Sequence, residues 1–190
     1  MKLTLTLILI LILILILILI LILNAAHAQS SQPLVPVAHL DLQRYSGDWY
    51  EIAKYPNRFQ KHCVSDTSAS YAIREDGRVD VVNRCRTTDK SMDQAEGVAR
   101  LTGGEGSATL KVRFAPAWLS WLPFVWGDYW VIELDDAYTL AAVSEPSREY
   151  LWILARSPKP DPARVVALIT RLGQRGFDPA RIERSRQETP

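Results

Sequence analysis

Beyond residue 40 the chain alternates between apolar and polar residues in short segments. The alternation is clearest where Leu110, Val112 and Phe114 are separated by basic residues. A period of two is typical of a β-strand with one buried face, and turn residues interrupt it about every ten residues. We predict eight strands, over residues 48–55, 64–74, 78–86, 94–102, 108–114, 128–134, 139–144 and 150–156.

Eight sequential antiparallel strands with short links favour an up-and-down barrel, because closure leaves no strand edge exposed. A sandwich of two sheets would use the same strands, so the strand count leaves both architectures open. After the last strand the period becomes helical, with Val165, Leu168 and Leu172 on one face. Asp161 followed by Pro162 is typical of a helix start. We expect this helix to pack outside the barrel.

The first 28 residues have the pattern of a secretory signal peptide. Lys2 precedes an almost pure Leu/Ile run from Leu3 to Leu23, and Ala26-His27-Ala28 places small residues where a signal peptidase reads them. We expect cleavage after Ala28 and export. The alternative is a retained anchor, since a helix of this length spans about 30 Å of hydrocarbon.

No cysteine lies near this leader to carry a lipid. We therefore expect a periplasmic or secreted protein that associates, at most, with the outer membrane. The predicted organisation is a signal peptide over 1–28, a lead-in over 29–39, one domain over 40–182 and a tail over 183–190.

Charge excludes one class of function. Residues 29–190 contain 21 basic and 21 acidic residues, because Lys2 is the only charged residue of the leader. A nucleic-acid-binding protein needs a basic surface to meet phosphates, so we expect no nucleic-acid partner. The six Trp, seven Tyr and four Phe also exclude a disordered chain.

Cys63 and Cys85 are the two cysteines, and an exported chain meets an oxidising compartment. The turn Glu75-Asp76-Gly77 lies midway between them, so antiparallel strands would bring both to one end of a hairpin. We predict a disulfide, worth about 3 kcal/mol in the chain-entropy model. The alternative is a metal site with His62 and His39, although adjacent His62 and Cys63 lack the usual ligand spacing.

Three segments, in order, resemble the motifs of the lipocalin family. Gly47-Asp48-Trp49 is similar to the G-x-W signature, Gly127–Asp135 to the second motif, and Tyr150–Arg156 to the third. The phrases Tyr55–Gln60 and Ser68–Tyr71 are similar to the bacterial lipocalin (Blc) and apolipoprotein D-like branch. The resemblance covers about residues 40–182. It implies an all-β fold, an eight-stranded antiparallel up-and-down lipocalin barrel with a C-terminal α-helix packed outside.

In that fold Trp49 would plug the narrow end of the barrel and Arg156 would lie across its indole, so we expect fold-closing roles for both. The connections 56–63, 87–93, 115–127 and 145–149 would then ring an open mouth, with the cysteines at its rim. Core packing is the alternative for each of the candidate ligand-binding residues, which are Tyr55, Phe59, Tyr71, Val81, Phe114, Tyr129, Trp130 and Trp152.

The connection at residues 115–126 is unusually rich in aromatic residues, and a soluble protein rarely exposes such a patch without a reason. Three alternatives remain open: a lid over the cavity, contact with a membrane surface, or contact with a partner or a second copy. The residues that would carry any of these roles are Trp118, Trp121, Leu122, Phe124 and Trp126.

The resemblance implies a non-enzymatic carrier in the cell envelope, which stores or transports fatty acids or lysophospholipids for membrane maintenance. An isomerase or hydrolase acting on a hydrophobic substrate is an alternative, for which Glu51, Glu133 or Glu145 would supply an acid or base. A tetrapyrrole binder is another, and it would need His39 or His62 on a cavity face. We expect no catalytic residue, no metal and no cofactor.

Overall fold

The computed structural model describes residues 10–20 and 33–188. The chain divides into two units, residues 1–33 and 34–190. In the first unit, residues 10–20 are helical and their Leu and Ile side chains are exposed. Among the described residues, no helix has both the length and the hydropathy needed to cross a membrane. The expected cleavage site after Ala28 lies outside the described residues.

The second unit confirms all eight predicted strands, each with both ends within two residues of the predicted ones. A short ninth strand near the C-terminus was not predicted. The strands are β1 (Gly47–Lys54), β2 (Cys63–Ile73), β3 (Val79–Thr87), β4 (Met92–Leu101), β5 (Thr109–Arg113), β6 (Gly127–Leu134), β7 (Leu140–Ser144), β8 (Leu151–Ala155) and β9 (Glu183–Arg184).

Every neighbouring pair of strands is antiparallel, and the order follows the chain from β2 to β8. β1 then pairs with β8 on one side and with β2 on the other, so the sheet closes on itself. The barrel prediction is confirmed, and a two-sheet sandwich is excluded. Each of the eight main strands therefore has a paired neighbour on both sides.

The contact between β1 and β2 covers only half of β1, with Gly47–Tyr50 against Ser68–Tyr71. Towards the mouth the C-terminal segment lies between the two strands. β9 pairs with the end of β1, and the Asp66 amide donates to the Arg186 carbonyl at 2.8 Å. The sequence predicts a separate tail over residues 183–190, but the described part of this segment lies in the barrel wall.

Two helices flank the strands, α1 (Leu42–Tyr45) and α2 (Pro162–Gln174). The Asp161 side chain caps α2 by accepting from the Ala163 amide at 2.9 Å. The apolar face of α2 packs in an outer cluster against outward-facing strand residues, which confirms the expected position of the helix. The inward-facing residues form a separate inner cluster. Its members include Trp49, Ala69, Tyr71, Val81, Ala99, Leu110, Val143 and Leu154.

Candidate ligand-binding cavity

One end of the barrel is closed by Trp49 and Arg156. Trp49 is fully buried, and the Arg156 guanidinium carbon lies 4.1 Å from its ring centroid. The Trp49 indole N–H donates to the Tyr45 carbonyl at 2.8 Å. The Arg156 guanidinium also donates hydrogen bonds, 2.7 to 3.0 Å long, to the carbonyl oxygens of Arg44, Tyr45, Ser46 and Asp48. These contacts fasten α1 and the start of β1 across this end.

Next to this closed end the barrel holds a small cavity. Its lining is apolar apart from a serine and three tyrosines. Three of the eight candidate ligand-binding residues line it: Tyr71, Val81 and Tyr129. The full lining is Leu42, Tyr45, Ser46, Tyr71, Val79, Val81, Ala99, Leu110, Val112 and Tyr129.

Three further candidates lie towards the mouth, away from this lining. Trp152 packs on the inner cluster, and its ring stacks on that of Tyr150 with 5.9 Å between centroids. Phe59 is more than half exposed, with its ring 5.6 Å from that of Tyr150. Phe114 is also exposed, although it approaches Gly97 closely. These residues belong to the entrance of the barrel.

The structure corrects the expectation for Tyr55 and Trp130, which face outward. β1 contains a register shift between Glu51 and Ala53, and such a bulge reverses side-chain alternation beyond it. The Tyr55 ring therefore lies in the outer cluster beside Phe177. Trp130 packs on the same cluster. Because Tyr129 lines the cavity, its neighbour in the strand must point the other way.

The three cavity tyrosines, Tyr45, Tyr71 and Tyr129, are joined through their hydroxyl groups, and we call them the tyrosine trio. The Tyr129 oxygen lies 2.8 Å from the Tyr45 oxygen and 2.8 Å from the Tyr71 oxygen. Burial raises the pKa of all three, to about 12 for Tyr71. Each hydroxyl therefore keeps its proton at neutral pH.

Sequence reasoning missed Tyr45, because it lies in a four-residue helix that is too short to show a period. One signal was present. Asp41 caps this helix, with a carboxylate oxygen that accepts from the Gln43 and Arg44 amides, and aspartate is a preferred N-cap residue.

A polar network occupies the mouth half of the barrel around Glu51. Its side chain is buried, and its carboxylate accepts from Gln60 Nε2 at 2.6 Å and from the Ser185 hydroxyl at 2.5 Å. The Lys54 ammonium lies 3.3 Å away. Gln60 in turn accepts from the Trp152 indole at 2.9 Å. The network ties the entrance to the C-terminal segment.

The other two candidate acid–base groups make contacts outside the cavity lining. Glu133 forms ion pairs with Arg171 and Arg175. Glu145 accepts from backbone amides in the turn that follows β7, including that of Ser147.

Neither histidine of the described residues lines the cavity. His39 contacts the Gly106 turn, and His62 is exposed beside Asp93 at the rim. Neither therefore meets the requirement for an axial ligand inside the barrel.

A disulfide joins Cys63 and Cys85, whose Cα atoms are 5.6 Å apart. The prediction is confirmed. Both sulfur atoms lie close to the His62 ring, but a disulfide has no thiolate with which to bind a metal. The bond connects the start of β2 to the end of β3 at the mouth rim.

The aromatic connection between β5 and β6 has an ordered base and an exposed tip. The Trp126 ring lies between two guanidinium groups, 4.5 Å from Arg100 and 5.3 Å from Arg113, and Leu122 is half-buried. Trp118, Trp121 and Phe124 are between 74% and 80% exposed. These three side chains belong to neither the inner nor the outer cluster of the described residues.

Comparison with known proteins identifies the family. A family model described as a lipocalin-like domain matches residues 40–187. The chain belongs to the lipocalin family. This match confirms the resemblance seen in the sequence motifs. It also supports a role as a carrier of hydrophobic ligands.

Curated relatives of this lipocalin include bacterial, plant and animal proteins. Temperature-induced lipocalin-1 of Arabidopsis thaliana is 35% identical over 156 residues, 81% of this chain and 83% of that protein. Outer membrane lipoprotein Blc of Escherichia coli strain K12 is 42% identical over 123 residues, 64% of this chain and 65% of that protein. Apolipoprotein D of Mus musculus is 30% identical over 154 residues, 77% of each.

Solved structures of other proteins show the same fold. Insecticyanin from the tobacco hornworm Manduca sexta superposes with a TM-score of 0.60 and 19% identity, over 79% of this chain and 82% of that one. The cockroach allergen Per a 4 also gives a TM-score of 0.60, with 19% identity, over 78% and 89% of the two chains.

Proposed function

We propose that this lipocalin carries a fatty acid or lysophospholipid in the cell envelope, storing or transporting it for membrane maintenance. The observation that carries the proposal is the apolar cavity inside the barrel, next to the end that Trp49 and Arg156 close. Small-molecule sites are typically apolar pockets with a few placed polar groups. This cavity has that character.

Burial of an alkyl chain supplies the driving force for binding. Each buried methylene contributes about 0.8 kcal/mol, so roughly ten of them give about 8 kcal/mol before the entropic cost of association. A fatty acid and a lysophospholipid each supply one such alkyl chain.

The leader and the relatives support the proposed location. The first 28 residues have the signal-peptide pattern, and one relative is named an outer membrane lipoprotein. We propose a periplasmic or secreted carrier.

We also propose that the exposed tip of residues 115–126 contacts a membrane surface. Trp and Phe are favoured at the lipid headgroup level, and Trp118, Trp121 and Phe124 are held outward by the anchored base of the loop. The tip adjoins the mouth, so membrane contact would bring the cavity entrance to the lipid.

Liposome flotation of a W118S/W121S/F124S variant tests this contact, with Val166→Ser as the control because Val166 is an exposed apolar residue on α2. We expect the triple variant to lose flotation and the control to keep it. Unchanged flotation contradicts membrane contact. Unchanged flotation together with loss of a dimer in light scattering would assign the tip to self-association instead.

The cavity itself is tested by filling it. Ala99 is buried and lines the cavity, whereas Val82 is half-buried and alternates outward from the cavity residue Val81. We expect Ala99→Phe to weaken binding of a fluorescent fatty acid at least tenfold and Val82→Phe to leave it unchanged, with circular dichroism as the check on folding. Equal binding by both variants would contradict a ligand inside the barrel.

A further inference from the structure

The tyrosine trio contains one hydroxyl hydrogen more than the trio can bind. Three hydroxyls carry three hydrogens, but only two oxygen–oxygen contacts connect them. Whichever way the hydrogens point, one of them is left over. Among the described residues, no other side chain or backbone group hydrogen-bonds to these three oxygens.

This surplus hydrogen lies in a buried and largely apolar part of the barrel. Tyr45 and Tyr71 are at most 8% exposed, and the surrounding cavity lining is almost entirely apolar. A buried donor without an acceptor costs about 1–3 kcal/mol. The site therefore favours any ligand that brings an acceptor oxygen to the trio.

Arg156 places a positive charge close enough to act on two of the tyrosines, Tyr45 and Tyr71. The Arg156 guanidinium binds backbone carbonyls and forms no direct ion pair with a carboxylate of the described residues. The positive charge of Arg156 acts on the hydroxyl groups of Tyr45 and Tyr71. Burial is the main cause that raises the pKa of Tyr45 and Tyr71, and the Arg156 charge opposes that rise in both. A negative group at the trio would be stabilised by the same charge.

We propose that the tyrosine trio is a binding site for an acceptor oxygen of the ligand's polar head, a carboxylate or carbonyl, so that the ligand enters head first. The alkyl chain then extends from the closed end towards the mouth, past Val81 and Val112. This inference rests on the proposed carrier function and adds the orientation of the ligand to it.

The test compares three probes of equal chain length: decanoic acid, methyl decanoate and decane. The first two carry an acceptor oxygen and decane carries none. Affinities are measured by competition with a fluorescent fatty acid, for the wild type and for the Y45F/Y71F/Y129F variant. The triple variant is needed because any single change still leaves at least one surplus hydrogen. Tyr50→Phe is the control, since Tyr50 packs on the outer cluster.

We expect the triple variant to bind the acid and the ester about tenfold more weakly, the equivalent of roughly 1.4 kcal/mol, and decane as tightly as the wild type does. A stronger loss for the acid than for the ester would identify the carboxylate as the preferred head. The control should match the wild type with all three probes.

Equal affinities of the wild type and triple variant for every probe would overturn the inference and leave the carrier function intact. An equal loss with all three probes, decane included, would also overturn it, since that marks a change of cavity shape. A wild type that binds none of them would overturn the proposed function as well.

Infrared spectroscopy of the wild type gives a second test that does not depend on folding of the variant. We expect the carbonyl stretch of isotope-labelled methyl decanoate to shift to lower frequency when bound, as a hydrogen-bonded ester does. A stretch at the frequency found in an alkane solvent would overturn the inference.

Discussion

The guanidinium of Arg156 lies 4.1 Å from the ring centroid of Trp49 and also binds four backbone carbonyls between Arg44 and Asp48, where α1 leads into β1. One side chain from the end of β8 thus holds the helix that supplies Tyr45 against the strand that supplies Trp49. The position of one cavity tyrosine therefore depends on this arginine.

We expect Arg156→Ala to lower the free energy of unfolding by about 3 kcal/mol. The loss combines a cation–π contact of about 0.5–2 kcal/mol with hydrogen bonds of about 0.5–1.5 kcal/mol each. Urea unfolding measures it, with Arg184→Ala as the control because Arg184 is exposed. A change no larger than that of the control would contradict the proposed closing role.

Arg156→Lys tests the geometry separately from the charge. Lysine keeps the positive charge but is a compact ammonium that cannot reproduce the planar fork of arginine. We therefore expect it to recover less than half of the stability lost in Arg156→Ala. Full recovery would mean that charge alone matters at this end.

Replacing both cysteines by alanine should cost about 3 kcal/mol, because the disulfide closes a loop across 22 residues. Since the bond lies at the rim, we also expect faster release of a fluorescent fatty acid in stopped-flow measurements. The matched comparison is the wild type with and without reductant. An unchanged release rate in the reduced protein would show that the disulfide does not restrain the mouth of the barrel.

The C-terminal segment should contribute to stability as part of the wall. The Gln187 amide donates to the carbonyls of Glu51 and Thr67, both at 2.8 Å, and so joins β1 to β2. We expect Gln187→Ala to cost about 1–3 kcal/mol because two carbonyls lose their donor. Gln43→Ala, at an exposed site, should have almost no effect in the same denaturant titration. Equal stabilities of the two variants would contradict a structural role for the segment.

Stability should fall at high pH because of the tyrosine trio. Burial raises the folded-state pKa of these hydroxyls, to about 12 for Tyr71, whereas an unfolded tyrosine titrates near pH 10. Above about pH 10 the unfolded chain loses protons that the folded state keeps, so the free energy of unfolding decreases by up to about 1.4 kcal/mol per pH unit and tyrosine. The stabilisation is fully present below pH 10.

Urea unfolding below pH 10 and near pH 11.5 measures this slope. The Y45F/Y71F/Y129F variant should show a clearly shallower one, because its cavity has no hydroxyl to titrate. Identical slopes in the wild type and the variant would mean that the trio ionises as freely in the folded barrel as in the unfolded chain.

The strand alternation was sufficient to predict the barrel wall, and its limits are visible in β1. Alternation places Trp49 and Glu51 on the inner side, but the register shift before Ala53 reverses the facing of Tyr55. A bulge is fixed by pairing with β8, a contact that is distant in sequence. Period counting along a single strand therefore cannot detect it.

The site was harder to predict than the fold, because two of its parts come from segments without a period. Tyr45 lies in a four-residue helix, and Ser185 reaches the Glu51 carboxylate from the C-terminal segment. Both positions are set by long-range contacts. Tyr71, Val81 and Tyr129, by contrast, lie within regular strands, where alternation predicts their facing correctly.

The most direct test of the carrier function is native mass spectrometry of protein purified from the envelope without detergent, followed by organic extraction of the bound lipid. We predict one fatty acid or lysophospholipid per chain, on a protein that begins at Gln29 and has two hydrogens fewer than its reduced mass. An empty protein that also fails to take up an added fluorescent fatty acid would contradict the account.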